Sequence, residues 1–280
     1  MSQFYNNIKT VFFLALLTGL IMWIGSLFGP NGLWFALILA GVMNFVSFFF
    51  SDKIAVMAMR GQEVGPDHML YRIVEDLAAR ANLPMPRVFV SPQQAPNAFA
   101  TGRSPHHASV CATEGLLQML TPNEVAGVMA HEMAHVKHRD ILIQSVAVTI
   151  GAAISMLAYS ARWRMFFGGG RDRDSNLLAM LGVMILGPLA AGLIQAAISR
   201  SREFNADKGG AEIVGDPMYL ATALQKIDSM NRRIPTDVSP AFNSMFISEP
   251  RNLFASVGNL FQTHPPLEAR LMNLIGREHV

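Results

Sequence analysis

Cysteine is nearly absent. Cys111 stands alone in 280 residues, so no intrachain disulfide framework and no cysteine-rich metal centre can form, and the folded part need not lie in an oxidising compartment. Charge is scarce as well. Asp, Glu, Lys and Arg make up 15% of the chain, against roughly 25% in an average soluble domain. With 51% hydrophobic residues and Lys+Arg 22 against Asp+Glu 20, the composition excludes a disordered chain, which needs low hydrophobicity and a large net charge. The net charge of +2, without any long Lys/Arg block, leaves no stripe to neutralise phosphates, so nucleic acid is not an expected partner.

The missing charge is concentrated. Residues 10–29, 32–51, 141–161 and 175–199 hold no Asp, Glu, Lys, Arg or His, and each is about as long as the 18 to 25 residues a bilayer-spanning helix needs. The first runs straight into the second without an A-x-A-like cleavage site, so it reads as a retained anchor rather than a signal peptide. Gly29-Pro30-Asn31-Gly32 reads as the turn between them, while Lys9 precedes the first window and Lys53 and Arg60 follow the second. The positive-inside rule then puts both ends of this hairpin in the cytoplasm. The third and fourth windows are joined by a loop with Arg162, Arg164, Arg171 and Arg173 against Asp172 and Asp174. A full span would export that basic loop, so a full hairpin and a shallower one both stay open. Four parts follow: a hairpin over 1–52, a globular part over 53–140, a second apolar hairpin over 141–199, and a C-terminal part over 200–280.

Within the globular part, residues 87–91 and 108–113 are β-prone and flanked by turn residues, which predicts two strands. The stretch between them, PQQAPNAFATGRSPHH, reads as a loop. Residues 67–82 carry Leu70, Ile73, Val74 and Leu77 at helical spacing, an amphipathic helix with one core-facing stripe.

A second helix, from 121 to about 140, announces itself by its start. Thr121 is an N-cap, Pro122 occupies the first helical position, and Glu124 completes a capping box. On that helix His131 and His135 are four apart, one turn from each other on one face, where both imidazoles can converge on a metal. Glu132 lies beside them, placed to act on a water without being a ligand. An H-E-x-x-H match by chance is expected in on the order of 1 in 100 chains of this length, and a capped helix around it makes chance rarer still. His138 shares the stripe, but pairing it with His135 would leave Glu132 too far along the axis, so it reads as a solvated interfacial histidine. The longer pattern with Gly and a third His is absent, so a third ligand must come from elsewhere.

Catalytic zinc generally takes three protein ligands and a water. An antiparallel pair of helices of about 20 residues returns its ends to within roughly 10 Å, so the third and fourth windows bring Glu203 back toward His135. Asp207, one turn on, is suited to accept the free N–H of a ligand histidine. Asp140 competes for the third position but is too close in the chain.

The segments NAFATG, GLLQMLTPNEVAGVMAHEMAHVKHRD, SREFNAD and THPPLEARL, set between two apolar hairpins, resemble the HtpX-type membrane zinc metalloproteases, relatives of the type I CAAX prenyl proteases. That resemblance covers nearly the whole chain. It implies a mainly α, membrane-integral protein with a zincin-like (gluzincin) catalytic part, a small β-sheet and one Zn2+ per chain. The ligands would be His131, His135 and Glu203, with Glu132 as general base. It further implies Asn97 near the substrate-binding edge and His264 with Arg270 near the oxyanion. Read from the residues alone, His264 before two prolines is equally a helix-entry residue, Arg270 equally structural, and Asn97 equally a turn former. Protein or peptide substrates, the lipid bilayer as partner, a bacterial inner-membrane location facing the cytoplasm and a stress-linked quality-control role all follow from the resemblance. A CAAX-type processing protease and a non-enzymatic scaffold with structural zinc stay open as alternatives. A metal transporter fares worse, because no ionisable group interrupts the four windows.

Overall fold

The computed structural model describes residues 2–26, 29–147, 149–150, 200–231, 265–276 and 280. Two long apolar helices open the chain, α1 (Ser2–Ser26) and α2 (Gly29–Phe49). They pair antiparallel: Asn44 Nδ2 donates to Thr18 Oγ1 at 2.8 Å, and Gly25 lies against Gly32 and Ala36. Small residues at such a crossing let two apolar helices approach closely, and the Asn44–Thr18 hydrogen bond adds a polar tie across the seam. Among the described residues one helix, α2, is long and apolar enough to cross a membrane, and α1 carries a shorter apolar stretch over Thr10–Trp23. Trp34, Phe35 and Ile38 are each about two-thirds exposed, so among the described residues nothing covers that face of α2.

The expected turn at 29–32 is displaced. Helix α2 already begins at Gly29, because Pro30 lacks an N–H that the first helical turn would not use and so favours a helix start. The third and fourth windows lie mostly outside the described residues, but the beginning of the third is helical over 141–147 and 149–150. There Ile143, Val146, Ala147 and Ile150 pack with Leu17 of α1.

After α3 (Ser51–Ala58) come β1 (Gln62–Glu63), α4 (Met69–Ala81), β2 (Arg87–Ser91), β3 (Ala98–Gly102), β4 (Ala108–Thr113) and α5 (Glu114–Met119). The strands form one sheet in the order β1-β2-β4-β3, with β2 and β4 parallel and both outer pairs antiparallel. Strands β2 and β4 match the expected ranges. Strand β3 overturns the expected loop: Ala-Phe-Ala-Thr-Gly has little intrinsic β preference and becomes a strand through its pairing with β4, Ala100 opposite Val110. Gly102 (φ +137) ends it in a conformation only glycine adopts easily, with no room for a Cβ against the His107 carbonyl.

Helix α6 (Pro122–His138) has the capping box its sequence predicts, with Glu124 N–H donating to Thr121 Oγ1 and Thr121 N–H donating to Glu124 Oε2. The same carboxylate binds Lys226 Nζ at 2.7 Å, tying α6 to α8 (Pro217–Asn231). Unlike a surface helix, α6 is buried on nearly every side, with Val125, Val128, Met129, Met133 and Val136 all fully covered. The stripe on α4 is buried at Leu70, Val74 and Leu77, while Ile73 sits at the edge of the same core. Each such aliphatic side chain contributes about 1.5–3 kcal/mol when taken from water.

Two glycines set how close the partners of α6 come. Helix α7 (Arg200–Val214) crosses at Gly210, where a Cβ would stand 2.8 Å from the His131 backbone nitrogen. Gly127 plays the same part toward Tyr219 and Leu220 of α8. Replacing Gly210 by Ala forces α6 and α7 apart and is expected to lower stability by about 1–3 kcal/mol, the usual cost of overpacking, with loss of metal retention. Thermal unfolding against Gly65→Ala, where nothing lies within 4 Å of the added carbon, checks this; equal melting temperatures would contradict it.

Candidate metal centre

Glu203, Asp207 and Gly210 recur every three to four residues, so they share the face of α7 that meets α6. The glycine allows the approach and the two acids use it. His131 Nε2 and His135 Nε2 stand 3.2 Å apart. Glu203 Oε2 lies 3.7 Å from the first and Oε1 3.5 Å from the second. Donors of a tetrahedral ion at the usual zinc–ligand distances are separated by about 3.3 Å, so these three groups already sit near the corners such an ion requires. Glu203 does stand beside the histidine pair, while residues 151–199, expected to return the chain, lie outside the described residues.

The opposite ring nitrogens are held by carboxylates. His131 Nδ1 is 2.9 Å from Asp207 Oδ1, and His135 Nδ1 is 3.4 Å from Asp140 Oδ2. With Nδ1 as the N–H, each Nε2 keeps its lone pair for a metal. Asp207 is itself gripped by Arg270 of α9 (Leu267–Ile275), through Nη2 at 2.6 Å and Nε at 3.0 Å. Arg270 Nη2 lies 3.5 Å from His131 Nδ1. The guanidinium therefore stands beside His131 Nδ1 and, against the opposing effect of burial, holds the Asp207 carboxyl below its ordinary range.

Asp140 was invisible to sequence reasoning as a partner of His135. Its placement depends on Arg139, which takes a left-handed conformation (φ 58) and turns the chain so that Asp140 N–H donates to the His135 carbonyl. Glycine normally marks that cap, and none is present. Glu132 is buried too. Burial raises its carboxyl above the usual range, and its Oε2 accepts the Ala100 N–H of β3 at 2.8 Å. Gly102 N–H, two residues further along the same open edge, donates to Ser145 Oγ, which also bonds Thr101 Oγ1. Ser145 belongs to the third apolar window, where composition alone gave it no role.

Asn97 is fully buried at the start of β3, its N–H donating to Thr113 Oγ1 and its carbonyl accepting the Thr113 N–H. His138 is half-buried against Gly209 of α7 and takes no part in the cluster. His264 lies outside the described residues.

The charges test whether these residues fit a metal. Glu132, Asp140, Glu203 and Asp207 are all buried, and Arg202 and Arg270 are the cations set among them. Among the described residues these four carboxylates outnumber the two guanidiniums, an excess of buried negative charge that a divalent cation would offset. In its absence, protons are drawn in. His135 is pushed up to about 9: burial disfavours the charged ring, but the hydrogen bond to Asp140 and the charges of Glu203 and Glu132 outweigh it.

A buried divalent-metal site of two helix-borne imidazoles and a carboxylate from a second helix, with a glutamate between the imidazoles in sequence, defines a metalloprotease of the H-E-x-x-H class. Residues 66–278 match the model of peptidase family M48, and the chain belongs to that family. Among curated relatives it is 51% identical over 276 residues to a "Protease HtpX homolog" of Syntrophotalea carbinolica, covering 96% of this chain and 98% of that protein. It is 49% identical over 276 residues to another of Desulforapulum autotrophicum, covering 96% of this chain and 89% of that one. The crystal structure of S. mikatae Ste24p shares the fold with a TM-score of 0.52 at 19% identity, over 98% of this chain and 66% of that one.

Because its carboxylate neighbours push His135 up to about 9 in the metal-free protein, metal binding is expected to displace a proton. Zinc affinity is therefore expected to rise by about tenfold per pH unit between about pH 6 and pH 8. Competition titration against a chromophoric chelator measures this, and an affinity independent of pH would contradict the arrangement.

Proposed function

We propose that the chain is a membrane-anchored zinc endopeptidase that cuts membrane or misfolded proteins at the cytoplasmic face of a bacterial inner membrane, in stress-linked quality control. The observation that carries this reading is the near-tetrahedral spacing of His131 Nε2, His135 Nε2 and the Glu203 carboxylate beside the buried Glu132. His131, His135 and Glu203 hold one zinc ion per chain. When bound, zinc polarises the scissile carbonyl and lowers the pKa of a coordinated water toward about 7.

The chain's own residues supply the rest. Glu132 takes the proton of the attacking water and passes it to the departing amine; its raised pKa suits both transfers. The Ala100 N–H fixes the direction of that carboxylate. Asp207 and Asp140 fix the rings of His131 and His135, and Arg270 fixes Asp207. Its position beside His131 Nδ1 supports positioning rather than an oxyanion role. Among the described strands β3 has a neighbour on one side only, its Ala100 and Gly102 N–H groups are taken by Glu132 and Ser145, and Asn97, at its entry, is the candidate substrate contact on the strength of the family resemblance. His264 is the candidate oxyanion donor on the strength of the family resemblance.

Residues 1–52 form the anchor, 53–140 and 200–280 the two halves of the catalytic part, and 141–199 a second hairpin joining them. The packing of Ile143, Val146, Ala147 and Ile150 on Leu17 supports an apolar segment beside the anchor from residue 141 on. A CAAX-type processing protease is the second reading, favoured by the likeness to the Ste24p fold; about 50% identity to the HtpX homologues favours the first.

Glu132→Gln is expected to keep its metal and lose about 10²–10⁴-fold in kcat/KM. The assay uses inverted membrane vesicles, cytoplasmic face outward, with an unfolded protein added outside. Wild-type rates in the variant would refute the mechanism, and cleavage confined to right-side-out vesicles would refute the orientation.

A further inference from the structure

We propose that Lys53 and Arg103, each seated on a phenylalanine ring at the C-terminal end of α2, form a binding site for the phosphate headgroup of an anionic phospholipid. The inference rests on the membrane-anchored reading above and goes beyond it. Helix α2 ends in a cluster of rings: Phe45 and Phe49 centroids are 4.6 Å apart, Phe48 and Phe49 5.1 Å, and Phe45 and Phe50 6.1 Å. Phe45 is 55%, Phe49 41% and Phe50 38% exposed, so the cluster continues the uncovered apolar face of α2 and lies where that helix would leave the hydrocarbon.

Two cations from different parts of the chain meet this rim. Lys53 Nζ, from α3, is 5.3 Å from the Phe50 centroid, and Arg103 Cζ, directly after β3, is 5.2 Å from that of Phe49. Both fall within the reach of a cation–π contact. That contact occupies one face of each cation and leaves N–H donors directed elsewhere. Among the described residues neither cation has a carboxylate partner. The neighbouring acid, Asp52, acts on Arg87, which is itself paired with Glu63. Two cations without counter-ions, on aromatic rings at the end of an apolar helix, match a phosphate carried on acyl chains: the guanidinium fork and ammonium take the oxygens, and the chains lie along Phe45 and Phe49. Free phosphate would make no use of the exposed rings. The site also adjoins the catalytic sheet, since Arg103 follows Gly102 on the edge strand that holds Glu132.

The test reconstitutes the full chain in vesicles of phosphatidylcholine with about one-fifth phosphatidylglycerol. The protein is then extracted in mild detergent and the retained lipid counted by native mass spectrometry. Wild type is expected to retain phosphatidylglycerol several-fold above its share of the bilayer. Lys53→Ala with Arg103→Ala is expected to return the ratio to that of the bilayer, while Lys53→Arg with Arg103→Lys, and the remote Arg72→Ala, keep the enrichment. Should the double alanine variant fail to fold, Arg103→Gln alone is expected to lower the enrichment. No enrichment in wild type, enrichment unchanged by removing the cations, or displacement of the lipid by millimolar inorganic phosphate would each overturn the proposal. Failure of wild type to enter vesicles at all would instead refute the membrane-anchored reading.

Discussion

An excess of buried carboxylates over guanidiniums among the described residues, where helices α6 and α7 cross, is the constraint on which this structure depends. Four carboxylates and two guanidiniums surround a pair of imidazoles that present their Nε2 atoms 3.2 Å apart. Burying uncompensated charge is among the least favourable arrangements a protein can adopt. The site therefore favours a cation, or protons in its place: burial raises the Glu132 carboxyl, and the Asp140 and Glu203 carboxylates raise His135. The crossing itself depends on Gly210, which lets the backbone of α7 rest on that of His131.

The N-terminal apolar helices and the metal centre are parts of one packing problem. Residue 141 begins a helix whose one side meets α1 through Ile143, Val146 and Ile150, and whose Ser145 holds the end of β3. That strand in turn donates to Glu132. The sheet edge beside the glutamate is thus fixed from the apolar side of the molecule, and Arg103 stacks the same edge against Phe49 at the end of α2.

What could be read from the sequence was what short-range rules encode. The capping box at Thr121 and Glu124, the strands at 87–91 and 108–113, and the helical spacing of His131 and His135 are all local. Glu203 and Asp207 were reachable because an apolar hairpin must return its ends to one place. The misses share a cause: each depends on contacts between distant segments. Strand β3 is poor in β-forming residues and exists by pairing with β4. Asp140 reaches His135 only because Arg139 adopts a conformation usually left to glycine. Ser145 is one more small residue in an apolar window until β3 is seen beside it. Pro30, taken for a turn, serves equally to open α2.

The central claim is that His131, His135 and Glu203, drawn from two segments far apart in the chain, hold one metal ion together. X-ray absorption at the zinc edge of the full-length protein, loaded with one equivalent of zinc, tests it most directly. Two imidazole nitrogens and a carboxylate oxygen from the protein are predicted, with the oxygen contribution reduced in Glu203→Ala. A spectrum unchanged by that substitution, or one needing a sulfur ligand, would contradict the account.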